Sequence, residues 1–188
     1  MKWLPVAASA ALYVVGCGDS QPASTQSASD AIRPTPCRPS QLRIANGAQV
    51  SPATGQNPLS IVLTNRSAKP CVVKGYPTVA LVDANGKRLA FRVSHSGDQM
   101  VTSRPPVAVR VLPHRSAFFL LNKFRCDLGN LKVAKKLRVA LPGVSTSAHL
   151  TVAIPTYPVI AYCGRNDPGS VITVSPIEPT LGDARAHG

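Results

Sequence analysis

The sequence predicts an all-β domain, a sandwich of about eight short strands held by two disulfides. Three observations carry that expectation. Apolar and polar residues alternate over short segments, and no stretch keeps an i, i+3, i+4 apolar pattern for three helical turns. Pro and Gly number 18 and 13 among 188 residues, which suits tight turns between strands. Five cysteines occur, four of them in the region after residue 36. A chain of this length suffices for one domain with a single core.

The elements follow in order. Residues 58–65 (PLSIVLTN) set Leu59, Ile61 and Leu63 on one face and Ser60 and Thr64 on the other, the period of a strand. A polar turn over 66–70 leads to a second strand at 71–74. Residues 78–82 (TVALV) and 87–93 (KRLAFRV) flank Asp83-Ala84-Asn85-Gly86, and Asn-Gly between apolar runs is a strong hairpin signal. Asp83 in that turn and Asp167 before Pro168 are turn formers. Residues 94–106 are polar, with Gly97 and paired prolines, and read as a long exposed loop. Strands are then expected at 107–112, 117–124, 135–141, 149–154 and 171–174, with 117–124 (AFFLLNKF) the most apolar.

The N-terminus carries an address. Met1 and Lys2 precede an apolar run over 3–15, the length of a signal-peptide core and too short to span a bilayer. The run ends in Val14-Val15-Gly16-Cys17, which resembles the bacterial lipobox. That resemblance implies cleavage before Cys17, whose thiol then carries a diacylglycerol, enough apolar chain for stable anchoring. A plain cleavage site at Ala8-Ser9-Ala10 would leave too short an apolar core. Residues 17–36 continue with Ser, Ala, Gln, Pro and Thr and one large aliphatic, Ile32, a composition that does not offset ordering entropy. The expected organisation is a signal peptide at 1–16, the acylated Cys and a flexible linker at 17–36, the sandwich at 37–178 and a tail at 179–188. The expected location is the cell envelope, with the exported protein anchored in the membrane.

Assigning Cys17 to lipid leaves Cys37, Cys71, Cys126 and Cys163, an even number in an oxidising compartment. Three connectivities exist. Cys37–Cys71 and Cys126–Cys163 are favoured because each closes a moderate loop of comparable size. The absence of C-x-x-C spacing argues against a thiolate metal site.

The segment Cys71-Val72-Val73-Lys74-Gly75-Tyr76-Pro77 resembles the C-x-x-x-G-Y-P signature of the family called domain of unknown function 4232. Leu63-Thr64-Asn65, the 79–86 hairpin, the Val111-Leu112-Pro113 step and the later cysteines are also similar, over roughly residues 37–176. The resemblance implies an immunoglobulin-like sandwich in a bacterial envelope lipoprotein or secreted protein. It assigns no activity and no functional residue. Physically, Gly75 admits backbone conformations that other residues avoid, Pro77 pushes Tyr76 toward extended geometry, and the Tyr76 ring can cover one end of the sandwich.

Candidate chemistry is sparse. His95 and Met100 share the 94–106 loop, but His114, His149 and His187 are scattered, and no metal, cofactor or catalytic residue is assigned. There is no G-x-S-x-G elbow. Acids are few, with Asp127 expected to pair with Arg125 or Lys123. Lys plus Arg total 21 against 8 acids, a net charge of +13. Lys2 is the one charge in the signal segment, so the excess belongs to the exported domain.

The basic residues are therefore the functional lead. Lys123 and Arg125 lie near Cys126, and Lys132, Lys135, Lys136 and Arg138 follow as a candidate anion-binding set. In a strand Lys136 and Arg138 share one face, with Leu137 and Val139 opposite. The plain alternative is an edge strand guarded by Lys. Export and the lack of interleaved aromatics argue against nucleic acid. The expected function is a lipid-anchored, non-enzymatic interaction module whose partner is anionic envelope lipid or polymer. The alternatives are an envelope hydrolase with a site assembled from loops, and a complex subunit binding protein through the 94–106 loop.

Overall fold

The computed structural model describes residues 35–127 and 132–186. The expected signal segment, Cys17 and the expected linker through residue 34 lie outside the described residues. In chain order the strands are β1 (Leu42–Asn46), β2 (Leu59–Asn65), β3 (Cys71–Val73), β4 (Thr78–Val82), β5 (Arg92–Ser94) and β6 (Val109–Val111). They continue with β7 (Ser116–Asn122), β8 (Lys132–Val133), β9 (Lys136–Ala140), β10 (Leu150–Ala153), β11 (Ala161–Tyr162) and β12 (Val171–Val174). One short helix, α1 (Leu181–Ala184), follows. Each segment expected to hold a strand overlaps one, the 87–93 segment only through Arg92 and Val93 of β5. β1, β8 and β11 are additional.

A five-stranded sheet has the order β1-β2-β7-β12-β5, and a three-stranded sheet has the order β10-β9-β4. All pairings are antiparallel except β5 with β12, which is parallel. β3 pairs with β6 and β8 with β11. The β2–β7 ladder sets Leu59, Ile61 and Leu63 opposite Leu121, Phe119 and Ala117. These side chains share one buried core with Val79 and Leu81 of β4 and Leu137 and Val139 of β9. Two sheets closing on a common core make a sandwich, and each large side chain buried there stabilises it by about 1.5–3 kcal/mol. The arrangement is consistent with an immunoglobulin-like fold, with the parallel β5–β12 pair as its distinctive feature.

Both disulfides pair as loop size suggests, Cys37–Cys71 and Cys126–Cys163, closing separations of 34 and 37 residues. Asp83 and Asp167 are turn formers. The Asp83 carboxylate accepts from the backbone N–H groups of Asn85 and Lys87, and that of Asp167 from the Gly169 N–H.

The structure corrects several expectations. The hairpin return arm does not run on as one strand. It touches β4 through a single Val82–Arg88 bridge, and the chain then crosses to the other sheet as β5. The 94–106 segment is not wholly exposed. Met100, Val101 and Thr102 are buried, and Met100 and Val101 form a second apolar cluster with Val50, Leu120 and Ala184 on the outer side of the five-stranded sheet. Its polarity serves burial, since the Asp98 carboxylate accepts from the N–H groups of Met100 and Val101 and from the Asn122 amide. Within the expected tail, the described residues through 186 pack on the domain. α1 packs against this cluster through Leu181 and Ala184, and Arg185 bridges Val101. At the other end, Thr35 and Pro36 pair with Val72 of β3, so the sandwich takes in the last two residues of the expected linker.

Candidate anion-binding groove

β9 is the central strand of its sheet, because Lys136 and Arg138 stand opposite Val82 and Ala80 on one side and Ala153 and Thr151 on the other. The edge-guard explanation of these charges therefore does not apply. Alternation buries Leu137 and Val139 and leaves Lys136 and Arg138 exposed on the outward face. Ala140, two residues beyond Arg138, faces Thr78. Ala80 and Ala140 are small, so the outer face dips between longer neighbours.

A groove of about 360 Å³ occupies the dip, lined among others by Thr78, Arg88, Arg138, Thr146, Ser147 and His149. The hairpin brings in Arg88 by folding it back beside Val82. Gly86 alone in that turn has positive φ, 79°. A side chain there would stand 3.9 Å from Nη2 of Arg138, so the guanidinium reaches toward the turn. The far wall is the β9–β10 connection. Its Ser145 and Ser147 hydroxyls lie 2.9 Å apart, and His149 Nδ1 is 3.3 Å from the Thr146 carbonyl oxygen.

Among the described residues no acidic side chain lines the groove. An ion pair joins Arg104 to Asp183 at 3.8 Å, away from the groove. Two guanidinium forks with hydroxyl donors beside them suit phosphate or carboxylate oxygens, which Arg binds bidentately.

Of the four basic residues expected to bind anions, only Arg138 lines the groove. Lys136 lies on the same face and extends the positive surface. Lys132 is exposed on β8 opposite Tyr162, and Lys135 is exposed between β8 and β9, where its backbone bonds Val82 and Ile154. Arg88 and His149 lie far from Arg138 in sequence and meet it only through the hairpin and the β9–β10 turn.

Lys123 departs furthest from expectation. It is buried, 2% exposed, and is no part of a basic surface. Its Nζ lies 3.7 Å from Cys126 Sγ and 3.6 Å from Cys163 Sγ. Burial lowers its pKa to about 8, partly offset by the charge of Asp167. Asp127 does not pair with Lys123 or Arg125; its backbone N–H donates to the Asp167 carboxylate at 3.2 Å.

Gly75 has φ 122°, a side chain there would meet Pro142 Cβ at 3.1 Å, and its carbonyl accepts from the Ile177 N–H at 3.0 Å. Pro77 is buried. Tyr76 is half-buried and stacks on His95, with ring centroids 4.1 Å apart. His95 and Met100 do not converge, since Met100 Sδ faces the Ala53 N–H inside the second cluster. Among the described residues no group of three or more His, Cys, Asp or Glu is placed to hold a metal ion.

Fold and site together define a small, disulfide-stapled, all-β module with a basic groove on its shorter sheet. The family model described as domain of unknown function (DUF4232) matches residues 37–178, and the chain belongs to that family. No curated protein and no solved structure matches the chain.

Proposed function

We propose that this chain is a lipid-anchored, non-enzymatic protein of the cell envelope, tethered through an acylated Cys17, whose sandwich binds phosphate groups of an anionic envelope component. The observation that carries the binding reading is the groove lined by both Arg138 of β9 and Arg88 of the hairpin, with no acidic side chain among its described lining. The anchor reading rests on Cys17 ending the apolar run and on the polar linker after it.

The chemistry recognised is the phosphate anion, which lipid head groups and wall polymers share. The mature chain from residue 17, with Cys17→Ser to remove the lipid, is mixed with phosphatidylglycerol vesicles, with phosphatidylcholine vesicles and with soluble poly(glycerol phosphate). Binding to an anionic partner that weakens at high salt supports the reading, and the partner retained identifies the source. Equal retention on neutral and anionic vesicles, or none on any partner at low salt, contradicts it.

A further inference from the structure

Among the described residues Lys123 is the one buried cation, and its ammonium faces the two sulfurs of a disulfide as its hydrogen-bond acceptors. Disulfide sulfur is a weak acceptor, so the ammonium's hydrogen bonds there are weak, and the charge of the buried Asp167 carboxylate offsets its desolvation only in part. A thiolate in the same place would be a strong partner, and a neighbouring ammonium favours the thiolate form of a cysteine. The two sulfurs also differ in access. Cys126 is half-buried, whereas Cys163 is 4% exposed. Backbone at Gly169 closes over Cys163, since a side chain at that position would come within 2.8 Å of its sulfur. The Cys37–Cys71 bridge offers a contrast inside the same molecule. Both its cysteines are buried in the main core, and no amine or guanidinium among the described residues hydrogen-bonds its sulfurs.

We propose that Cys126–Cys163 is a redox-active disulfide, reduced by an external dithiol, with Lys123 placed to stabilise Cys163 as the departing thiolate. A thiolate of the dithiol attacks Cys126 Sγ from its open side. A mixed disulfide forms as the Cys126–Cys163 bond breaks, and the electron pair leaves on Cys163 Sγ beside the Lys123 ammonium. The second thiol of the reductant, deprotonated, then displaces Cys126 and closes the reductant to its own disulfide. Two electrons pass to the protein. Of the two protons lost by the dithiol, one goes to Cys126 and the other to solvent, while Cys163 remains a thiolate. Cys37–Cys71 stays closed as the structural staple. This inference is independent of the groove and of the anchor.

The test equilibrates the folded protein with graded ratios of reduced to oxidised dithiothreitol, alkylates it, and reads each cysteine by mass spectrometry. Cys126 and Cys163 are expected to label at a ratio at least tenfold lower than Cys37 and Cys71, a separation of about 30 mV. Lys123→Met is expected to move the Cys126–Cys163 equilibrium about tenfold toward the disulfide and to leave Cys37–Cys71 in place. Opening of both disulfides at one ratio, or an unchanged equilibrium in Lys123→Met, overturns the proposal. Should that variant fail to fold, the wild-type comparison stands, joined by the pH dependence of Cys163 alkylation in the reduced protein. Cys163 is expected to react as a thiolate below the ordinary thiol value of about 8.5, and titration at or above it overturns the proposal.

Discussion

Arg138 lies directly opposite Ala80 in the β4–β9 ladder, and this pairing of a long cation with a single methyl group opens the floor of the groove. A large residue at position 80 would fill the dip and keep every charge. Ala80→Met is therefore expected to weaken anion binding at least tenfold while the denaturation midpoint changes little, because the position is only half-buried. Binding isotherms of the two proteins check this. Unchanged affinity would mean that the basic face acts through net charge and the groove through nothing.

The anchor has its own test. In cells, Cys17→Ala is expected to move the protein from the membrane fraction to the soluble fraction, because no other acylated group remains to hold it. Full retention on membranes after a carbonate wash would contradict lipid attachment at Cys17.

Gly75 ties the β3–β4 connection to the strand of chain that follows β12. Its φ of 122° is strained for any residue with a side chain, and the nearest atom in the way is a proline carbon. Gly75→Ala is expected to destabilise the domain by about 1–3 kcal/mol. Gly182, inside α1, meets nothing closer than 3.5 Å, so Gly182→Ala should be neutral or stabilising by up to about 1 kcal/mol. Urea denaturation of both variants measures the contrast, and equal effects would remove the argument from backbone conformation.

Lys123 gives stability a pH signature. Burial lowers its pKa from 10.5 to about 8 in the folded protein. Between those values the unfolded chain binds the proton more tightly than the folded one, so stability gained from this residue rises with pH across that window. Below pH 8 the cost of the buried charge is fully present, at most about 3 kcal/mol from the size of the shift. Relative to Lys123→Met, which carries no titrating group there, the wild type should gain stability from pH 8 to pH 10.5. Denaturation midpoints of the two proteins across that range decide it, and a pH-independent difference would show that Lys123 keeps its ordinary pKa.

Much of the fold is legible in the chain because alternation and turn chemistry are local. Leu59, Ile61 and Leu63 announce β2, and Asn85-Gly86 announces the turn after β4. β1 is harder to read, since only Leu42 of its five residues is buried, and pairing with β2 is what makes it a strand. β8 and β11 have two residues each and exist through their mutual pairing. The burial of Met100 and Val101 is hidden by polar neighbours that satisfy their backbone. Lys123 carried a usable signal, for it continues the inward alternation of Ala117, Phe119 and Leu121, though its charge suggested solvent. The groove was half legible. Arg138 on an outward face follows from alternation, whereas Arg88 and His149 arrive by long-range pairing that no local pattern encodes.

The proposed anion site stands or falls with Arg88 and Arg138, and the affinity of Arg88→Ala/Arg138→Ala for a phosphate-bearing polymer or anionic vesicle tests it. Lys132→Ala/Lys135→Ala serves as the control of equal charge loss outside the groove, and both variants are compared with the wild type across a salt series. Charge-assisted hydrogen bonds contribute about 1.5–3 kcal/mol each, so the groove variant should lose at least tenfold and show a shallower salt dependence, while the control changes much less. Equal losses in the two variants, or no loss in the groove variant, would contradict the account.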